Sequence, residues 1–234
     1  MKKNKNSFSF QLITFLTIFL MAFWSAGCGD TKPNLSNSNA QPPLEEFKPI
    51  LAEDYGNSPR SIWQKPEVIL DRLGDVSEKT VVDLGAGEGY FTFRLITKAK
   101  KVLAIDIGER YLSYIDSLKS ELQPAFRARL QTRLANRDDA NLQPNEADAV
   151  VIVNTYIYLP NRIAYLKRLK KGIAVGGKIL IVDYKDRKLP VGPPAKEKVA
   201  LANVEKELAE AGFKKVMSDD VSLEYQYIVT AVNE

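Results

Sequence analysis

Histidine is absent from the chain of 234 residues, and Cys28 is its single cysteine. A histidine-ligated or cysteine-ligated zinc site is therefore excluded, and so are Ser-His-Asp and Cys-His nucleophilic sites. One cysteine also cannot close a disulfide bond within the chain. No paired cluster of carboxylates stands out that could hold a catalytic metal ion, so no metal site is predicted. Chemistry in which the protein only positions two reactants against each other stays open to such a chain.

The apolar segment near the N-terminus is too short to span a membrane. Residues 12–24 are apolar apart from two threonines, whereas a spanning helix needs about 20 apolar residues. A basic start precedes this segment, and the small residues 25–27 separate it from Cys28. The pattern resembles a bacterial lipoprotein signal peptide over residues 1–27, although Ser25 stands where leucine is usual. The resemblance implies cleavage before Cys28, lipidation of its thiol, and a lipid-anchored protein on the periplasmic or surface side of a membrane in the bacterial cell envelope. The alternative is an uncleaved membrane anchor.

The next segment, residues 28–57, is rich in proline, asparagine and serine and has few apolar residues to bury. This composition predicts a flexible tether, which at about 5–6 Å × √n spans on the order of 30 Å. The whole chain has a net charge of +4, and residues 1–27 contribute three lysines and no acids, so the remainder has a net charge of +1. Such a small basic excess predicts no nucleic-acid partner. Residues 58–234 have the size of one domain.

Three glycines at alternate positions follow a short β-branched run and an acid. The segment reads Val-Val-Asp-Leu-Gly-Ala-Gly-Glu-Gly-Tyr-Phe over residues 81–91, and it predicts a strand, a tight turn and a helix over residues 90–98. Tyr90 stands where the dinucleotide-binding pattern requires its third glycine. The segment resembles motif I of the class I S-adenosylmethionine (SAM)-dependent methyltransferases. By that resemblance Asp83 faces the ammonium group of SAM, and the turn holds the methionine part through Gly85, Ala86, Gly87, Gly89 and Tyr90.

Three further segments match that family in position. Asp106 ends a second predicted strand, where its carboxylate, with Ile107 beside it, can accept the ribose hydroxyls of SAM or, equally, of NAD. Asp138 has the spacing of the acid that takes the adenine amino group, with Asp139 as the alternative. A solvated loop is the other interpretation of this pair. Asn154 ends an apolar strand and resembles motif IV, whose loop faces the methyl group.

The spacing of apolar residues predicts strands and helices in alternation. Beyond the glycine segment, helices are predicted over residues 67–73, 109–122, 160–171 and 197–211, and strands over 101–106, 126–134, 148–154, 178–184, 213–217 and 223–231. The short connection between the last two strands demands an antiparallel hairpin. The resemblance therefore implies an α/β, Rossmann-like class I methyltransferase fold. This fold has a seven-stranded, mostly parallel sheet with a C-terminal antiparallel hairpin and helices on both faces.

The resemblance implies that SAM is the cofactor and that a methyl group is transferred to an unidentified small-molecule or envelope acceptor. Similar bacterial proteins often carry histidines where this chain has Ile157 and Tyr158. Tyr156 is a candidate base, or alternatively an aromatic lid over the ligand. Trp63 and its neighbours either cover the sheet or close the cofactor pocket. Two other functions remain open: a non-catalytic module that binds SAM or another adenosine compound, and a structural envelope protein. The intact glycines and acids argue against the last.

Overall fold

A mixed sheet organises the part of the chain that is described, residues 60–234 of a computed structural model. Within this range its strands are β1 (Thr80–Leu84), β2 (Lys101–Asp106), β3 (Leu130–Leu134), β4 (Ala147–Val153), β5 (Ile173–Tyr184), β6 (Lys214–Asp219) and β7 (Gln226–Val232). Their order is β3-β2-β1-β4-β5-β7-β6. The first five strands are parallel, whereas β7 is antiparallel to both β5 and β6. The predicted seven-stranded sheet with a C-terminal hairpin is confirmed.

Both faces of the sheet are covered, because successive residues of a strand point to opposite sides. Val81 of β1 packs in one apolar cluster, and Val82 packs in the other. Strands β2 and β4 are buried along almost their whole length. Strands buried on both faces have continuous apolar sequences instead of alternating ones. This burial explains the run Ala-Val-Val-Ile-Val at the end of β4.

The helices form a layer on each side of the sheet. In chain order the described residues contain α1 (Arg60–Gln64), α2 (Pro66–Asp71), α3 (Thr92–Leu95), α4 (Glu109–Glu121), α5 (Pro124–Arg129), α6 (Arg162–Gly172) and α7 (Leu201–Glu210), with 3-10 turns at Tyr156–Tyr158 and Ala195–Glu197. Apolar residues of α2, α3 and α4 join the cluster of Val81, and those of α6 and α7 join the cluster of Val82. Helices on both faces are therefore confirmed as well.

Two predicted elements are shorter than expected. The strand predicted over residues 126–134 begins only at Leu130, because Pro124 occupies the first turn of α5 and Phe126 lies in that helix. The helix predicted over residues 90–98 is reduced to the four residues of α3. Successive turns carry the chain through the glycines before α3, and further turns follow it.

Other boundaries also differ from the predictions, two of them by four residues or more. The helix predicted over residues 197–211 begins at Leu201, because Lys198 and Ala200 have extended backbone with ψ of 156° and 140°. Strand β5 begins at Ile173, five residues before its predicted start. The C-terminal Asn233 supports this extension, since its side-chain amide donates a hydrogen bond of 2.6 Å to the carbonyl of Ile173 and its own carbonyl accepts one of 2.7 Å from Gly176.

The predictions for the N-terminal part lie outside the described residues. They comprise the signal peptide over residues 1–27, lipidation of Cys28 and the tether over residues 28–57. Between residues 60 and 234, no helix combines the length and the apolar character that crossing a membrane requires.

Candidate functional site

A cavity of about 800 Å³ opens at the carboxyl ends of β1, β4 and β5. In parallel α/β sheets this edge is where ligands bind, because the loops that follow the strands diverge there. The glycine turn after β1 forms one wall of the cavity, and the residues after β4 and β5 form another. Helices α1, α3 and α4 and the Gly192–Pro193 segment also contribute to the lining, the helices through Arg60, Phe93, Arg94 and Tyr111. The volume lies within the usual range for small-molecule and cofactor sites, roughly 300–1,000 Å³.

The glycine turn has a backbone that other residues adopt only with strain. Gly85, Gly87 and Gly89 all have positive φ, of 80°, 52° and 86°. A Cβ atom at Gly85 would collide with the side chain of Thr155, and one at Gly89 would lie 2.6 Å from the ring of Phe93. A Cβ atom at Gly87 would meet nothing within 4 Å. Gly87 therefore leaves the space beside the turn open to a ligand.

Asp83 is buried at the end of β1 and lines the cavity, and its contact with an ammonium group stays a prediction. The hydroxyl of Thr92 donates a hydrogen bond of 2.6 Å to its carboxylate. Burial raises the pKa of Asp83 to about 6, against the opposing effects of Thr92 and of the guanidinium of Arg60. Arg60 lines the same cavity, so a carboxylate and a guanidinium are both presented to its contents.

Asp106 stabilises the glycine turn through hydrogen bonds to its backbone. Its two carboxylate oxygens accept hydrogen bonds from the backbone N–H groups of Gly87 at 2.9 Å and of Gly108 at 2.8 Å. Neither Asp106 nor Ile107 is among the residues that line the cavity, and Ile107 is 63% exposed. Each carboxylate oxygen of Asp106 has a second lone pair, so binding of the ribose hydroxyls stays a prediction.

The acids after β3 lie away from the cavity. Asp138 is exposed, and its backbone carbonyl accepts hydrogen bonds from the guanidinium of Arg168. Asp139 forms an ion pair of 3.8 Å with Arg168 and accepts a hydrogen bond of 2.8 Å from the N–H of Asn141. The structure therefore does not bring these acids to the residues that line the cavity, and an adenine contact through either remains an untested prediction.

Asn154 lines the cavity and ends a relay of side-chain amides. Its side-chain oxygen accepts a hydrogen bond of 2.5 Å from Gln226, whose own oxygen accepts one of 2.9 Å from Gln64. Gln64 in turn accepts a hydrogen bond of 2.5 Å from Arg60. Gln64 and Gln226 are fully buried. Sequence reasoning missed this relay, because its members are 162 and 72 residues apart and no local pattern marks them.

The segment that contains Trp63 both covers the sheet and contributes a residue to the cavity wall. Trp63 is buried in a cluster with Tyr184 and Val191, so it covers the sheet beside the end of β5. Arg60, one helical turn before Gln64, faces the cavity. Helix α1 therefore packs over the sheet and forms part of the cavity wall.

Tyr156 does not lie in the cavity, in contrast to its predicted role as base or lid. The side chain is fully buried, and its hydroxyl donates a hydrogen bond of 2.6 Å to Glu207. Glu207 also pairs with Arg162 at 2.7 and 2.8 Å. Burial and the carboxylate of Glu207 raise the pKa of Tyr156, so the phenol keeps its proton. The 3-10 turn directs Tyr156 into the apolar layer, whereas Tyr158, 65% exposed, lines the cavity.

Asp183 at the end of β5 lines the cavity and was not predicted. The backbone N–H groups of Tyr184 and Ile157 donate hydrogen bonds to it, at 2.8 and 3.3 Å. Burial raises the pKa of Asp183 to about 7. A signal was present in the sequence, because an apolar strand ends in an acid here just as the first two strands contain Asp83 and Asp106 near their ends.

Tyr90 separates two arginines at the glycine end of the cavity. The guanidinium carbons of Arg60 and Arg94 lie 4.2 and 3.9 Å from the centre of its ring. Such stacking of arginine on an aromatic ring stabilises both side chains. In the described residues, the hydroxyl of Tyr90 is buried without a hydrogen-bond partner.

Metal-ligating side chains do not converge in the described part of the chain. Within residues 60–234 no group of three or more His, Cys, Asp or Glu could hold a metal ion. The site consists instead of a glycine turn, two buried carboxylates, two arginines and aromatic rings. This set can bind and orient charged small molecules and hold a proton on a carboxylate.

Comparison with known sequences gives a family match that covers most of the described residues. A family model described as a methyltransferase domain matches residues 75–229. The tRNA U34 carboxymethyltransferase of Actinobacillus succinogenes is 26% identical over 121 residues, which cover 51% of this chain and 36% of that protein. Ribosomal RNA small subunit methyltransferase A of Koribacter versatilis is 30% identical over 102 residues, 38% of this chain and 35% of that protein. The chain thus spans little more than a third of the length of the curated relatives it matches.

Solved structures with the same fold are numerous. A SAM-dependent methyltransferase from Aquifex aeolicus superimposes with a TM-score of 0.69 at 24% identity, covering 75% of this chain and 93% of that one. Phosphoethanolamine N-methyltransferase 2 of Haemonchus contortus, in complex with SAM, superimposes with a TM-score of 0.60 at 14% identity, covering 73% and 52%. At these identities the likeness establishes the fold.

Proposed function

This chain belongs to the methyltransferase domain family, and on that premise we propose that it binds SAM in the cavity and transfers the methyl group to an acceptor. The acceptor is a small molecule or a component of the cell envelope. The proposal includes tethering to a membrane through a lipid on Cys28, which is supported by the sequence of residues 1–28.

The observation that carries the proposal is the presence of Asp83 and Arg60 in one cavity beside the glycine turn. The methionine part of SAM ends in an ammonium and a carboxylate group. Asp83 offers a buried carboxylate to the former, and Arg60 offers a guanidinium to the latter. The two side chains are close enough for Arg60 to lower the pKa of Asp83. Gly87 leaves room for the ligand to approach the backbone. The residues present therefore fit SAM.

When bound, SAM supplies a methyl group that is activated for attack by its attachment to a positively charged sulfur. The protein then has to hold both reactants in line and keep the site ordered. Asp106 fixes the turn through the N–H of Gly87. The relay of Gln64, Gln226 and Asn154 fixes α1 against the strand ends. Neither task requires histidine, cysteine or a metal ion.

The curated relatives carry names that refer to tRNA and ribosomal RNA. A different acceptor is proposed for this chain because, once residues 1–27 are removed, its net charge is only +1. Proteins that bind nucleic acids usually carry a clear basic excess that matches the phosphate backbone.

The direct test is calorimetric titration of the purified full-length protein with SAM and with its demethylated product. We expect saturable binding of both, and weakening by about tenfold or more in Asp83→Asn, because the ammonium group then loses a charged acceptor. The matched control is Asp220→Asn, which makes the same change at an exposed position outside the cavity lining. Absence of binding to the wild-type protein would refute the proposal. Binding without methyl transfer to any tested acceptor would instead favour a non-catalytic module.

A further inference from the structure

Asp183 is a buried carboxylate that faces the cavity without an ion pair in the described part of the chain. Only 1% of the residue is exposed, and the hydrogen bonds it receives come from the backbone. Glu146 and Glu207, by contrast, are each paired with an arginine through two hydrogen bonds. A buried acid without a partner destabilises the fold. Its place at a cavity therefore points to a function.

The two ends of the cavity differ in charge: the arginines lie at the glycine turn, and Asp183 lies at the other end. Arg60 and Arg94 lie around Tyr90 at the glycine turn. At the end that contains Asp183, the lining includes the rings of Tyr158 and Tyr184 together with Ile157, and no arginine or lysine. Lys198 lies 5.8 Å from the centre of the Tyr184 ring, outside the lining. A carboxylate beside aromatic faces attracts a cation, because the faces of the rings carry partial negative charge. The ionised carboxylate itself repels an anionic acceptor.

We infer that the methyl acceptor is an amine, and that Asp183 binds its ammonium group and takes its proton. The inference rests on the proposed function and narrows it to an N-methyltransferase. Each oxygen of Asp183 accepts one backbone hydrogen bond and keeps another lone pair. The carboxylate can therefore receive an N–H group or a proton without losing its hold on the backbone.

The proton and the electron pairs of the proposed methyl transfer can all be assigned to the amine, Asp183 and SAM. One proton of the ammonium passes to an oxygen of Asp183, and the freed nitrogen lone pair forms a bond to the methyl carbon. The bond between that carbon and sulfur breaks, and its electron pair stays on sulfur. The product is a methylated ammonium, and Asp183 gives its proton to solvent after release. A base is required because a protonated amine has no lone pair to attack with.

Several charged or titratable groups face Asp183 from the elements packed around it. They are Tyr158 of the 3-10 turn, Arg162 of α6, Lys198 before α7 and Tyr227 of β7. Arg162 and Lys198 favour the ionised carboxylate, although burial outweighs them. A carboxyl group that titrates near neutral pH is matched to proton transfer at that pH. Binding of an ammonium group should therefore strengthen as pH rises from 6 to 8.

The test uses benzylammonium as probe and benzyl alcohol as its uncharged counterpart, titrated into the full-length protein at pH 8 without SAM. We expect benzylammonium to bind more tightly than the alcohol. Asp183→Asn should weaken benzylammonium binding by about tenfold or more and leave the alcohol unaffected. The control Asp186→Asn makes the same charge change three residues further on, outside the cavity lining, and should bind like the wild type.

Tyr158→Leu provides a second variant in case Asp183→Asn folds poorly. Tyr158 is largely exposed, so its replacement should not disturb folding, and it should weaken benzylammonium binding about threefold through the lost aromatic face. Equal binding of the amine and the alcohol, failure of benzylammonium to bind the wild type, or an unchanged affinity in Asp183→Asn would each overturn the inference. SAM titrated into the same sample separates the two proposals. If SAM binds and benzylammonium does not, only the inference fails, and if SAM does not bind, both fail.

Methyl transfer from labelled SAM to benzylamine adds a kinetic readout that a merely structural role of Asp183 would not change. The wild-type rate should rise with pH through the titration of Asp183, and the profile should flatten in Asp183→Asn. Faster methylation of benzyl alcohol than of benzylamine would contradict the inference.

Discussion

At the scale of residues, the buried and half-buried acids divide according to the groups that face them. Hydrogen bonds from Arg133 lower the pKa of Glu146, and those from Arg162 and Tyr156 lower the pKa of Glu207 against the opposing effect of burial. Burial instead raises the pKa of Asp83 to about 6 and of Asp183 to about 7. The paired acids hold helices and loops in place, whereas the two unpaired acids line the cavity.

The raised pKa of Asp183 makes its contribution to stability depend on pH. Between its ordinary value of 3.8 and about 7 the folded protein binds the proton more tightly than the unfolded chain does. The free energy of unfolding therefore falls as pH rises through this window, by at most about 4 kcal/mol from this residue. Asp183→Asn removes the effect, so its stability relative to the wild type should increase from pH 4 to pH 8. Urea denaturation of both proteins at several pH values measures this, and parallel curves would contradict it.

At the scale of elements, the strands could be predicted because burial on both faces leaves a continuous apolar sequence, as in β4. The short helices could not be predicted as well. Phe126 packs against the apolar cluster from α5, and an isolated apolar residue does not distinguish a helix from a strand. Helix α1 is five residues long, too short to be stable alone. Its position depends on Gln64 and Gln226, which are distant in sequence.

The motif residues also divide into those whose position could be predicted from the sequence and those whose position could not. Asp83, Asn154 and the glycines follow from local spacing, and the structure places them at the cavity. Tyr156 and Tyr158 are only two residues apart, and the sequence does not show which of them points inward. The 3-10 turn decides this, and it buries Tyr156 against Glu207. Asp183 was missed because an acid at a strand end has no fixed partner in sequence.

Substitutions in the glycine turn can distinguish an effect on stability from an effect on SAM binding. Gly87→Ala adds a methyl group where no atom lies within 4 Å, so the cost to stability is the strain of a positive φ, roughly 1–2 kcal/mol. The same methyl group enters the space proposed for SAM, and affinity should fall by about tenfold or more. Gly85→Ala, which adds a collision with Thr155, should lose more stability. Thermal melting and SAM titration of both variants check this, and normal SAM binding by a folded Gly87→Ala would contradict it.

Helix α1 should detach when the amide relay is broken. Gln64→Leu leaves the side-chain oxygen of Gln226 without its donor in a buried position, which costs about 1–3 kcal/mol. Because Arg60 is held by Gln64, SAM affinity should fall as well.

Hydrogen exchange of the α1 amides, together with a SAM titration, measures both effects. The control Ile62→Ala changes an exposed residue of the same helix and should leave both unaltered. Unchanged exchange in Gln64→Leu would show that the relay does not hold α1.

At the scale of the whole molecule, the acids Asp83, Asp106 and Asp183 all lie near the carboxyl ends of parallel strands in one sheet. This common edge brings together residues that are up to 100 positions apart in sequence. The sheet therefore places three carboxylates at or beside the cavity that is proposed for a positively charged cofactor and a positively charged acceptor. Arg60, in the same cavity, is proposed to bind the one carboxylate of the cofactor.

The proposed attachment to a membrane depends on one side chain, that of Cys28. Cells that express the full-length protein should incorporate labelled fatty acid into it, and Cys28→Ser should abolish incorporation completely, because the chain has no other cysteine. Ser25→Leu, which restores the usual residue of the signal, should process at least as well as the wild type. Labelled lipid on the Cys28→Ser protein would contradict lipoprotein attachment.

A chain without histidine ordinarily exchanges few protons between pH 5 and 8, yet here two buried carboxyl groups titrate in that range. An ammonium group that docks on Asp83 near pH 6 must displace the fraction of protons bound there. The heat of SAM binding near pH 6 should therefore depend on the ionisation enthalpy of the buffer, and this dependence should weaken between pH 6 and pH 7 as Asp83 becomes ionised before SAM binds. Because the chain has no histidine, the carboxylates of the cavity are the side chains best suited to release protons near pH 6 when SAM binds.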